Sequence, residues 1–242
     1  MMKNFNTHVI TTLILFLLFC GCAGVSKEII QEDEKPSDAA VYQVPETMAV
    51  LPFENNSVTE PEKYAPLSKG LSAMLTTDLK NSNTTLQIIE REKIQAILKE
   101  IALGQSGSVD QSTAVKAGKL LGAQSIVFGS FMVLGNNVRI DARIINVETG
   151  EVLMAEFITG DIGGFINIAV DLAAKIAKSM KVAFNPVKVK STGNPDAAIY
   201  FSQGLDALDK GNKEEANRLF LNCIKLDPAY KVQVDNVKGL TK

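Results

Sequence analysis

A single histidine, His8, supplies all the imidazole in this 242-residue chain. There is no tryptophan, aromatic residues make up only 6%, and the cysteines are three: Cys20, Cys22 and Cys223. With no histidine after residue 8, the body of the chain has no His-based triad, no paired-histidine metal site and no imidazole acid–base chemistry. Three cysteines at this spacing build neither a zinc cluster nor a disulfide framework. Neither GxxxxGK[ST] nor GxGxxG occurs, and Gly160, Gly163 and Gly164 read as the end of a strand, not a phosphate loop. A formal charge of −2 leaves no basic footprint, so no nucleic acid partner is expected. Carboxylate pairs are present at Glu90/Glu92 and Glu148/Glu151, but both sit beside turns with Lys or Arg nearby and read as solvated surface. Glu214 and Glu215 open a helix, where acids suit the positive end of the dipole. The expectation is a protein without a catalytic site, cofactor or metal.

Long hydrophobic runs are missing too. Residues 9–19, preceded by Lys3, form the longest early apolar stretch, interrupted by Thr11 and Thr12. Spanning a bilayer takes about 20 apolar residues, and this shorter run matches the apolar region of a secretory signal. It closes on Leu18-Phe19-Cys20-Gly21-Cys22, which resembles a bacterial lipoprotein signal, with Gly21 before the cut and Cys22 as the lipidated residue. Residues 1–21 are therefore expected to be a signal peptide. Their removal takes Lys3 and no acid, shifting the formal charge from −2 to −3. Acyl chains on Cys22, at about 0.8 kcal/mol per buried CH₂, would anchor the protein to a membrane. Residues 22–46 follow as a flexible tether: Glu28, Glu32, Asp33 and Glu34 are acidic, and Pro36 and Pro45 interrupt any helix. A coil of that length reaches on the order of 25–30 Å.

What is present after residue 46 is globular in character, the whole chain being 46% hydrophobic and 21% charged. Residues 125–134 are nearly all apolar and rich in Val, Ile and Phe, which predicts a strand buried on both faces. Gly135-Asn136-Asn137 supplies a hairpin turn. Val138, Ile140, Ala142 and Ile144 then alternate with Arg139, Asp141 and Arg143, so one face is buried and one wet. The phase slips at Ile144-Ile145, as a β-bulge would produce. After a turn at residues 148–151, residues 152–159 read as a third strand. Short strands are expected at residues 48–53 and 86–89. Helices are expected from Pro66/Ser68 onward, over 90–103 and from Phe165 to about Met180, each with apolar residues at helical spacing, and a further one over about 111–121 after a loop at Gly104, Ser106 and Gly107. The order β-α-β-α-α-β-β-β-α predicts an α/β class: a three-layer-like domain over residues 47–183. Its mixed sheet, an antiparallel meander plus short N-terminal strands, is covered by helices.

Five blocks carry a family resemblance: residues 48–53 (MAVLPF), 86–91 (LQIIER), 100–107 (EIALGQSG), 118–129 (GKLLGAQSIVFG) and 143–150 (RIINVETG). In this order they resemble the curli production assembly/transport (CsgG-like) lipoprotein family over residues 47–181. The resemblance implies a lipid-anchored protein on the periplasmic face of the outer membrane, able to form homo-oligomeric rings and working on other envelope or secreted proteins. It also implies departures. The curli channel carries two insertions that become membrane-spanning hairpins, and here the corresponding connections are only residues 135–137 and 160–164. A spanning strand needs about 9–11 residues. The reading is an assembly or secretion factor that forms no pore itself, the alternative being a subunit of a curli-type outer-membrane channel.

Residues 184–195, with Pro186, Gly193 and Pro195, read as a linker. Beyond it, over residues 196–228, Tyr200, Gly204, Gly211, Ala216, Phe220, Cys223 and Pro228 fall on the spacing of one tetratricopeptide repeat. Cys223 takes the small-residue packing position. One repeat cannot bury its own apolar face, and the tail, residues 229–242, forms no second one. The hairpin must therefore dock on its own domain, a neighbouring copy or a foreign protein.

Overall fold

The run SIVFGSFMVL forms the middle strand of the sheet, β4 (Ser125–Leu134). The computed structural model describes residues 45–82, 85–101 and 110–237. The expected signal peptide, Cys22 and most of the expected tether lie outside them, as do residues 102–109 and 238–242. β4 pairs antiparallel with β5 (Asn137–Asn146), from Ser125 opposite Asn146 to Leu134 opposite Asn137. The turn between them is Gly135-Asn136, and Gly135 takes φ +61°, a conformation glycine adopts without steric cost. β5 pairs in turn with β6 (Val152–Asp161), and the register shifts between Ile144 and Ile145 where the apolar phase slips. On the other side β1 (Thr47–Val50) runs parallel to β4, and β3 (Gln87–Ile88) runs parallel to β1. The sheet is mixed and the class is α/β.

Two small elements depart from the expectation. Residues 54–57 read as a turn after Pro52, yet β2 (Glu54–Asn55) adds in parallel to the far end of β4, opposite Ser130 and Phe131. A short helix α1 (Pro61–Tyr64) follows it. Neither Glu54 nor Asn55 favours a strand, so pairing with the preformed β4 overrides local propensity.

Alternating side chains of the sheet divide the core in two. α2 (Leu67–Asn81) and α5 (Phe165–Ser179) cover one face, where Leu71, Met74, Phe165 and Leu172 share a cluster with Val127, Phe131, Val138 and Ile140. α3 (Arg91–Glu100) and α4 (Gln111–Leu121) cover part of the other, where Ile94, Leu98 and Leu121 join Ile126, Phe128 and Ile145. Beyond that cover, Arg139 forks onto Asp141 at 2.6–3.1 Å, and its guanidinium stands 4.1 Å from the centre of the Phe157 ring.

After α5, residues 182–194 are irregular and lead into the helical hairpin α6 (Pro195–Asp209) and α7 (Lys213–Leu226). A 3-10 turn at Pro228–Tyr230 and the short helix α8 (Lys231–Asp235) bring the chain back towards α2. The described residues form one compact unit, and Phe201, Leu205, Ala216 and Phe220 lie in the same core cluster as Leu71 and Phe165.

Candidate interaction site

The hairpin owes its shape to small residues where helices meet. Gly204 on α6 faces Phe220 on α7, and a Cβ built at Gly204 would stand 2.6 Å from the ring. Gly211, at φ +77°, and Asn212 make the turn, and Asn212 caps α7 by accepting from the Glu215 amide at 3.1 Å. Ala216 and Cys223 are fully buried, and Tyr200 is half-buried against the same core. Burial pushes the Cys223 thiol up to about 12, with the Asp227 charge adding to the effect, so it packs and does not react. Pro228 opens the turn that follows, capped by Asp227, which accepts from the Ala229 amide at 3.0 Å.

Docking on the domain, one of three arrangements open to the hairpin from sequence, is the one seen. α2 and α6 touch at Gly70, where an added Cβ would overlap the Ser202 hydroxyl. Ser202 satisfies itself by donating to the Ala198 carbonyl at 2.7 Å. Beside this contact Lys69 of α2 pairs with Asp206 and, at 3.2 Å, with Asp209, and Arg91 of α3 also pairs with Asp209. The Arg91 and Asp209 side chains are only 14% and 12% exposed, so this ionic contact is largely withdrawn from water.

The segment expected as a linker is a strap pinned along its length. Asn167 on α5 donates to the Val189 carbonyl at 3.0 Å and accepts from the Val189 amide at 3.1 Å. Lys188 pairs with Asp171 at 3.0 Å, and Ser191 donates to the buried Asp227 at 2.5 Å. Thr192 donates to the Leu226 carbonyl at 3.0 Å.

Strap, α2, α5 and α8 enclose a cleft of about 200 Å³. Its walls are apolar, among them Ile166, Val170, Phe184 and Val189, and its polar end carries Asp78 and Gln233. Gln233 Nε2 donates to Asp78 Oδ1 at 2.8 Å. Burial pushes Asp78 up to about 6, the Gln233 hydrogen bond working in the opposite direction. Sequence reasoning missed this site. Asp78 belongs to no motif, and nothing local ties it to Gln233, 155 residues away. The acids named from sequence are not gathered into a site. Glu90 meets Lys80, Glu215 meets Arg218, and Glu151 accepts from the Thr149 hydroxyl.

Residues 37–141 match the family model described as curli production assembly/transport component CsgG. No curated protein matches the chain. Among solved structures, the fold is similar to a PelC dodecamer from Paraburkholderia phytofirmans, at 15% identity and a TM-score of 0.36, covering 57% of this chain and 88% of that one. It is similar to a lipoprotein from Neisseria meningitidis, at 14% identity and a TM-score of 0.40, covering 55% and 99%. It is also similar to the LpoB C-terminal domain from Salmonella enterica, at 16% identity and a TM-score of 0.33, covering 48% and 82%.

Proposed function

From the curli-type match over residues 37–141, we propose that this is a lipid-anchored envelope protein acting by protein–protein contact in the assembly or secretion of a surface structure. Acyl chains on Cys22 hold it at the periplasmic face of the outer membrane, and residues 22–46 let the folded unit stand away from the lipid. It carries out no catalysis, needs no cofactor and forms no pore. A homo-oligomeric ring of this unit would lie on the membrane and depend on its acyl chains for attachment.

The observation that carries this reading is the length of two connections inside the sheet. β4 passes to β5 through Gly135-Asn136, and β6 passes to α5 through the 3-10 turn Ile162–Gly164. A hairpin crossing the membrane needs two strands of about 9–11 residues. Neither connection has room for one.

The anchor is tested by Cys22→Ala. The variant is expected in the soluble periplasmic fraction, while the unaltered protein sediments with outer membranes. Retention of the variant in membranes washed with high salt would overturn the lipoprotein reading. Affinity purification of the lipidated protein with its neighbours then identifies the envelope or secreted proteins it contacts.

A further inference from the structure

β6 ends the strand order β3-β1-β4-β5-β6, so one of its long sides has no strand beside it. Its ten residues exceed the average strand of about 5–6. The Ile162 amide donates to the Asn136 carbonyl at 2.9 Å, which fixes the alternation along the strand. Gly160, Ile158, Glu156 and Met154 turn their N–H and C=O groups towards β5, and Ala155, Phe157 and Thr159 turn theirs outward. Among the described residues no hydrogen bond meets those outward groups. All three residues are exposed, Phe157 at 52%. Edge strands are commonly blunted by lysine, proline or a bulge. β6 contains neither Lys nor Pro, and the register shift opposite Ile144 and Ile145 touches only its start.

We propose that two copies of this chain pair antiparallel along β6 about a two-fold axis at Phe157, joining their sheets into one. In this register Ala155 of each copy lies opposite Thr159 of the other, so outward groups meet only outward groups. The three outward residues on each side then exchange on the order of six backbone hydrogen bonds. The two Phe157 rings, each the largest exposed apolar group of its strand, cover one another across the axis. Glu156 is the one charge between Val152 and Gly160, and it is held by Lys175 of its own copy at 2.8 Å. It faces Ile158 of the second copy, so no like charges are opposed. Sliding the axis by one residue would set Glu156 against itself, which is destabilising. The edge is thus complementary to itself in charge and in hydrogen-bonding alternation, and a second copy is the occupant it fits. Such a contact is isologous and closes at two copies.

The test uses the full chain. Sedimentation equilibrium is expected to show a reversible change from monomer to dimer mass with rising concentration, and amide exchange at Phe157 and Thr159 is expected to slow over the same range. Ala155→Cys and Thr159→Cys, made in separately tagged copies, then test the register. Opposed Cα atoms of a hydrogen-bonded antiparallel pair stand about 5.5 Å apart, within the roughly 4.4–6.8 Å that a disulfide spans. Two copies of one variant hold their cysteines four residues apart along the strand, about 14 Å, which is too far. Mild oxidation of the mixture should therefore give the cross-linked heterodimer, and either variant alone should give no cross-link. Thr159→Pro removes an outward N–H and leaves the ladder to β5 intact, a place where edge strands accept proline. Across the two-fold axis it deletes two hydrogen bonds and should weaken the dimer by about tenfold or more. Exchange equally slow in dilute and concentrated protein would show a segment of the same chain covering the edge, and would overturn the proposal. So would a protein that stays monomeric when concentrated, association that continues past two copies, single variants that cross-link as readily as the mixture, or a dimer that Thr159→Pro leaves unchanged.

Discussion

A single carboxylate sets the clearest residue-scale consequence. Asp78 is held near 6 in the folded protein against an ordinary value of 3.8, because burial disfavours its charged form. The folded state therefore binds the proton more tightly than the unfolded one. Asp78's contribution to stability is full below pH about 4 and is lost as pH rises through about 6. A shift of this size corresponds to roughly 3 kcal/mol at most. Asp78→Asn is expected to raise stability at neutral pH by about 1–3 kcal/mol and to flatten that part of the curve. Urea unfolding of both proteins between pH 4 and 8 checks this, and a variant less stable than the parent at pH 8 would refute it. The depressed carboxyls, Asp110 hydrogen-bonded by Thr113, Glu156 beside Lys175 and Glu215 beside Arg218, have the opposite sign. They cancel when the two proteins are compared. Cys223 gives a second residue-scale expectation: with its thiol near 12, it should resist alkylation at pH 8 until the protein is unfolded, as timed iodoacetamide labelling would show. Cys223 was read from its spacing as a packing residue, and its side chain is fully buried. The Asp78–Gln233 pair was not legible, because desolvation is a property of the assembled cleft and leaves no local pattern.

Strands and helices were legible wherever a period or a punctuation residue controlled them. β4 could be bounded from its apolar run, the bulge from two adjacent isoleucines, and α4 from the loop residues before it; its cap is Asp110, whose side chain accepts from the Thr113 amide at 2.8 Å. β2 was not legible, since its two residues become a strand only against the edge that β4 presents. The docking of the hairpin was not legible either. Gly70 looks like an ordinary helix-weakening glycine until Ser202 is brought against it. Because the hairpin shares a core with α2 and α5, the structure predicts one cooperative unfolding transition for sheet and hairpin together. Gly70→Leu should cost at least about 1–3 kcal/mol by overpacking that contact. Asp209→Ala strips Arg91 and Lys69 of a partner in a site largely shielded from water, and should cost about 1–3 kcal/mol. Each variant is expected to lower the single midpoint in a thermal scan by circular dichroism. Two separated transitions would show that the hairpin is an independent module.

At the scale of the whole molecule, the question is whether the sheet can enter a bilayer. The five sequence blocks pointed to the curli-type fold, and the same sequence pointed away from its channel through two connections that stay short in the structure. The open side of the meander adds a second argument. Arg139, Asp141 and Arg143 alternate with buried Val138, Ile140 and Ala142, and Arg139 is engaged by Asp141 and the Phe157 ring. A lipid-facing strand presents an apolar band about 25 Å tall, and one arginine at its midplane costs about 2–4 kcal/mol. Two arginines and an aspartate per copy, multiplied around any ring, make insertion of this face strongly unfavourable. Copies closing into a barrel would gain nothing, since the ten-residue strands of the meander are already packed against the helices of the core and neither connection supplies further ones. The purified protein added to planar bilayers is therefore expected to give no conductance above that of vesicles alone. Stepwise single-channel currents, absent from the vesicle control and abolished by substitutions at Gly135 and Asn136, would reverse this conclusion and make the protein a channel subunit.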